Sequence, residues 1–112
     1  MADKKGTGLL MVWADVPADK EDDFNRWYNE EHLEELLSVP GVLNAARYEA
    51  VKSGPKHLAC YELESPEVVE SDAFKNRPLT EWSKRTSPTV IATNLINPVY
   101  EMIRPVALTP DI

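Results

Sequence analysis

The sequence predicts an α+β fold, a four-stranded antiparallel sheet with helices on one face. Three observations lead there. Four short apolar runs, at about residues 9–16, 42–51, 57–64 and 95–103, have the length and patterning of strands. Phe24, Tyr28, His32 and Leu36 recur every fourth residue, the spacing of one helix face. Prolines and glycines fall between these segments and punctuate them. The resulting order is strand, helix, strand, strand, helical region, strand. That is the βαββαβ pattern of ferredoxin-like folds, with the expected strand order 4-1-3-2.

Each element has a local reason. Residues 9–16, Leu-Leu-Met-Val-Trp-Ala-Asp-Val, are almost wholly apolar and read as a strand buried on both faces. Pro17 ends that strand, and Asp19 is the expected N-cap of a helix running to about Leu37. Glu21, Asp22 and Asp23 suit the positive end of its dipole. Pro40 stops the helix and Gly41 permits the turn that follows. Residues 42–51 form the second strand, with Tyr48 on one face and Arg47 on the other. The turn Lys52-Ser53-Gly54-Pro55-Lys56 makes an antiparallel hairpin with residues 57–64. Ser65 followed by Pro66 opens a short helix to about Ser71. Residues 73–77 suggest another helical turn, cut by Pro78, and Thr80 caps a helix through about Arg85. Residues 95–103 complete the sheet. The whole chain reads as one domain, with a core over about 8–103 and a tail over 104–112.

Composition excludes several function classes. Nineteen acidic residues against twelve basic give a net charge of −7. That balance argues against a nucleic-acid partner, whose binding rests on Lys and Arg, and against an anionic membrane surface. No apolar run is long enough to span a bilayer, and the start does not resemble a signal peptide, so a cytoplasmic location is expected. The single cysteine, Cys60, allows no internal disulfide and reads as a small buried hydrophobe. The strands are apolar on both sides while helices cover only one. The open face therefore predicts packing against a second copy, a homodimer.

The best hint of a site is the helix stripe. A core-facing stripe should be apolar, yet Tyr28 and His32 stand in its middle. Buried polar groups need partners, or they face a cavity where a ligand supplies one. A buried structural histidine is the alternative.

Residues 27–33, Trp-Tyr-Asn-Glu-Glu-His-Leu, followed by Val39-Pro40-Gly41-Val42 and Ala46-Arg47-Tyr48, resemble the dimeric α/β-barrel superfamily, in particular its EthD-like and related branches. The hairpin from Gly54 to Leu63 and the segment Thr80-Glu81-Trp82-Ser83-Lys84-Arg85 look similar too. The resemblance implies a homodimer whose two sheets close into a barrel, with a ligand cavity between sheet and helices in each subunit. Such families include polyketide cyclases, isomerases, haem-degrading enzymes and small monooxygenases, and many branches need no cofactor. Fold alone therefore does not select among them.

Within such a cavity, His32 and Tyr28 are the candidate catalytic residues. Trp13, Trp27, Tyr48, Tyr61, Trp82 and Tyr100 are the candidate lining for a small apolar or aromatic ligand. A histidine can take and return a proton near neutral pH, and a tyrosine hydroxyl can hold an enolate oxygen. The pair suits cyclisation, isomerisation or dehydration next to a carbonyl, without a cofactor. A non-catalytic binding or stress-type dimer and a cofactor-free monooxygenase need the same pocket. Arg26 or Arg47 could hold a carboxylate, although surface ion pairs suit both better. His57, next to a turn, reads as exposed. No metal is expected, because Glu31 and His32 diverge by about 100° on a helix and no His-x-x-x-His or paired cysteines occur. Haem degradation in related folds uses an Asn-Trp-His set; all three residue types occur here, and the sequence does not place them at matching positions.

Overall fold

The computed structural model describes residues 6–89 and 96–104. Strand β1 spans Gly8–Ala14, β2 Val42–Glu49, β3 His57–Leu63 and β4 Val99–Glu101. They form one antiparallel sheet in the order β2-β3-β1-β4, the 4-1-3-2 order expected. The ferredoxin-like topology predicted from the element order is the one observed. An isolated bridge between Trp13 and Ile96 extends the β1–β4 pairing. The expected start of the last strand, at residue 95, lies outside the described residues.

The first helix is not uniform. A 3₁₀ turn at Ala18–Lys20 leads into α1, Glu21–Trp27, then a π-turn at Tyr28–His32, then α2, Leu33–Leu37. Asp19 lies in the 3₁₀ turn, and no side chain caps α1. Gly41, at φ +95°, makes the left-handed turn into β2 that a side chain would strain. Ser65 does not cap with its side chain, and Pro66–Glu70 is a 3₁₀ segment. Ser71 caps the short α3, Asp72–Lys75. Thr80 caps α4, Glu81–Thr86, by accepting from the Ser83 N–H at 3.0 Å, as expected.

Register divides the sheet into two faces. Leu10, Val12 and Ala14 of β1 pair with Tyr61, Ala59 and His57 of β3. Ala45, Arg47 and Glu49 of β2 lie opposite Tyr61, Ala59 and His57 on the same side. This inner face meets the first helix, and the core of Leu10, Ala14, Phe24, Trp27, Tyr28, Leu36, Ala59, Tyr61 and Leu63 sits between them. The outer face carries Leu9, Met11, Trp13, Ala46, Tyr48, Leu58, Cys60, Ile96 and Tyr100, by the pairings Met11–Cys60, Trp13–Leu58, Tyr48–Leu58 and Leu9–Tyr100. Cys60 is half-buried there instead of enclosed in the core.

Candidate functional site

A cavity of about 380 Å³ lies between the inner sheet face and the first helix. Leu10, Val12, Ala14 and Val99 form its floor, and Phe24, Trp27, Tyr28, His32 and Leu36 form the helix wall. Val69, Phe74 and Arg77 close it from the segment after β3. The volume is within the range of small-molecule sites, and the lining is mainly apolar with few polar groups.

The π-turn builds the helix wall. Its Leu33 N–H reaches back five residues to the Tyr28 carbonyl. Each residue in such a turn rotates less than in an α-helix, so position i+5 returns to the face of position i. Trp27 and His32 are five apart, and their rings stack at 4.2 Å between centroids with 21° between planes. A regular helix would have kept them about 140° apart around its axis. The Tyr28 ring also stands edge-on to His32 at 5.0 Å. Insertions of this kind are frequent at functional sites.

His32 has a defined protonation state. Burial, with the nearby positive charge of Arg77, lowers its pKa from 6.5 to about 4, so the ring is neutral near pH 7. Its Nδ1 lies 3.2 Å from Glu35 Oε1. An ionised carboxylate only accepts, so the ring proton belongs on Nδ1 and Nε2 keeps its lone pair. Glu35 itself is shifted upward by burial and by the charge of Glu31. Tyr28 is pushed upward chiefly by burial, which keeps its hydroxyl protonated. Tyr61, fully buried behind Tyr28, is also raised by burial and by Tyr28. The Tyr61 hydroxyl interacts with Tyr28 without forming a well-aligned hydrogen bond, and Trp27 Nε1 is buried without a hydrogen-bond partner among the described residues.

The other expected lining residues are not brought to this cavity. Trp13, Tyr48 and Tyr100 lie on the outer sheet face, with Tyr48 and Tyr100 at 49% and 47% exposure. Strand parity separates them from His32. Trp82 packs α4 onto α1, where its Nε1 donates to Asp23 at 3.1 Å between the flanking guanidinium groups of Arg26 and Arg85.

Two further expectations are corrected. His57 is buried, 5% exposed, because it faces inward under Phe24. Arg47 Nη2 donates to its Nδ1 at 3.1 Å, which leaves Nε2–H to donate to Glu21 at 2.9 Å. Arg47 is not at the surface in an ion pair, since it also donates to Asn25 and Asn29 and lies 5.0 Å over the Tyr28 ring. Arg26 does form a surface pair, with Glu30. Arg77 and Asn97 line the cavity and were not singled out from sequence. Asn97 thereby joins Trp27 and His32 around one space. Among the described residues, no three His, Cys, Asp or Glu side chains converge as a metal site. No helix among them is long and apolar enough to cross a membrane.

No protein-family model matches the chain, and no match is found among the curated proteins. Solved structures do share the fold. A haem-degrader of Mycobacterium tuberculosis, MhuD, solved with two haems bound in its active site, aligns with TM-score 0.64 at 16% identity. The alignment covers 89% of this chain and 99% of that one. An EthD family protein of Bacillus halodurans aligns with TM-score 0.55 at 14% identity, over 87% of this chain and 99% of that one. A conserved protein of Methanosarcina mazei aligns with TM-score 0.58 at 17% identity, over 88% and 95%. At these identities the likeness is one of fold.

Proposed function

We propose that the chain is a cofactor-independent enzyme acting on a small aromatic or polyketide-like carbonyl compound, by proton abstraction next to the carbonyl. One observation carries this reading. His32 is a neutral imidazole, backed by Glu35 through Nδ1, at the wall of an apolar cavity of about 380 Å³. In the proposed step, Nε2 takes a proton from the carbon beside the substrate carbonyl. The electron pair moves to the oxygen as an enolate, and the Tyr28 hydroxyl donates to that oxygen. Glu35 stabilises the imidazolium that forms, as carboxylates behind catalytic histidines do. Return of the proton to a different atom, or loss of a leaving group, gives isomerisation, cyclisation or dehydration. Trp27 holds the imidazole plane by stacking.

The apolar outer face supports a homodimer as the working form. Leu9, Met11, Trp13, Tyr48, Leu58 and Tyr100 share that face, with Tyr48 and Tyr100 about half exposed, and a second copy would cover them. Its charge, −7, agrees with the absence of a nucleic-acid partner from the proposal.

The fold neighbour MhuD is described as a haem-degrader, and Asn97, Trp27 and His32 surround one cavity here. The nitrogen donor and its carboxylate support suit metal ligation. The mainly apolar lining and a volume of about 380 Å³, at the low end for ligand pockets, support a ligand of one or two rings.

The test follows hydrogen exchange in D₂O. Aryl methyl ketones such as 4-acetylbenzoate should lose methyl protons to solvent deuterium faster with the protein than without it. His32→Ala should slow that exchange by about 10²-fold or more while the fold is retained. Exchange unchanged by the substitution would end the catalytic reading, and ligand binding that survives alongside a lowered melting temperature would assign His32 a structural role. A haemin titration is the control: a one-to-one Soret shift abolished in His32→Ala would move the reading to haem.

A further inference from the structure

Among the described residues the cavity is lined by one permanent cation, Arg77, which forms no ion pair with a described carboxylate although its charge acts on Glu35. Arg77 lines the cavity, where its Nη1 donates to the Phe74 carbonyl at 2.6 Å. Its guanidinium lies 4.5 Å over the Phe74 ring. These two contacts fix the plane of the group. They use one of five N–H donors. The other charged lining residue, Glu70, pairs instead with Lys75 at 3.3 Å. Arg26 and Arg85 close on Glu30 and Asp23 outside the cavity. Arg77 is half-buried at the cavity, and a planar carboxylate is the best complement of a guanidinium.

We propose that Arg77 binds the carboxylate of the ligand, and that the ligand is a planar aromatic acid lying between Arg77 and His32 with its ring against Trp27 and Phe74. The proposal rests on reading the cavity as a ligand site. The chain as a whole carries −7, so an acid approaches against its field and needs a local cation to be held. The pairing also bears on the proposed base. Arg77 is one of two causes of the depressed His32 pKa, and a carboxylate on it cancels that charge. Glu35 faces His32 from its own helix, Glu31 acts on Glu35, Glu70 lines the cavity from the segment after β3, and Tyr28 and Trp27 contact the ring uncharged.

Two matched pairs of probes test this: 4-acetylbenzoate against 4-acetylbenzamide, and 2-naphthoate against 2-naphthamide. Each is titrated while the His32 ring resonances are followed by NMR. The wild-type protein should bind each acid about 10-fold or more tightly than its amide. The acids, and not the amides, should raise the His32 titration midpoint. Arg77→Met should abolish the preference by weakening the acid far more than the amide. Arg77→Gln keeps a donor for the Phe74 carbonyl and should do the same, which guards against a loss of fold. Equal affinity for acid and amide in the wild type, or a preference that persists in both variants, overturns the proposal and leaves the cavity reading standing. If no probe of either pair moves the His32 resonances, the cavity reading fails and the proposal with it.

Discussion

Acidification from pH 7 to pH 5 should destabilise the protein through His32, and the size of the effect follows from its burial. The folded-state pKa is about 4 against 6.5 for a free imidazole. A group depressed in this way binds its proton first in the unfolded chain. Its contribution is therefore nil above about pH 7 and turns against folding as the pH falls from 6.5 toward 4. One pKa unit is about 1.4 kcal/mol, so the full effect is about 3 kcal/mol, with about 2 kcal/mol lost by pH 5. The side chain is only 15% exposed, so solvent screening removes little of this. Glu35 acts in the opposite sense, because its raised carboxyl is relieved of charge as the pH falls. Glu21 and Asp23 are lowered by their partners, and their stabilisation fades only below the carboxylate range, beneath this window. The assay is urea unfolding at pH 7, 6 and 5 for wild type, His32→Gln and Glu35→Gln, at one protein concentration. Wild type should lose about 2 kcal/mol more than His32→Gln across the window, and Glu35→Gln should lose slightly more than wild type. Parallel losses in wild type and His32→Gln would refute the neutral, buried imidazole on which the proposed chemistry depends.

Two other outcomes test the frame around the site. Gly41→Ala should cost about 1–3 kcal/mol, since φ is +95° and the added methyl would lie 2.6 Å from Val68 Cγ2; a melting temperature at or above that of wild type would show that the turn tolerates a side chain. Light scattering should give twice the 12.6 kDa chain mass, and Trp13→Glu on the outer face should shift the protein toward monomer. A wild-type monomer at micromolar concentration, or an undisturbed dimer in the variant, would remove that face from the interface.

What was legible in the sequence was what depends on local pattern. Apolar runs, proline stops and the short hairpin link set the order of elements, and only a few sheets connect that order without crossings. The polar members of the helix stripe, Tyr28 and His32, also pointed to the cavity, because a phenol and an imidazole on a core face need an explanation. The π-turn was not legible. Its hydrogen bond is made between backbone groups five apart, and nothing in Trp27-Tyr28-Asn29-Glu30-Glu31-His32 marks it. Arg77 was hidden for another reason: it follows α3 in a segment interrupted by Pro66 and Pro78, where no periodicity assigns a face.

The strand aromatics failed through parity, and that failure is instructive. Trp13, Tyr48, Tyr61 and Tyr100 are expected in one lining because aromatics stand on nearly every element. Yet alternation sends neighbouring positions to opposite faces, and pairing then decides which face each strand residue shares. Tyr61 pairs with Leu10 and faces inward, while Tyr100 pairs with Leu9 and Tyr48 with Leu58, so both face outward. Register is a property of two strands, and neither strand carries it alone. An aromatic-lined cavity and an apolar outer face thus appeared in the sequence as one undivided signal. In space they are two: Trp27 and Tyr28 stand with His32 on one side of the sheet, and Trp13, Tyr48 and Tyr100 on the other. Substitutions on the outer face should therefore change assembly before they change the chemistry of His32.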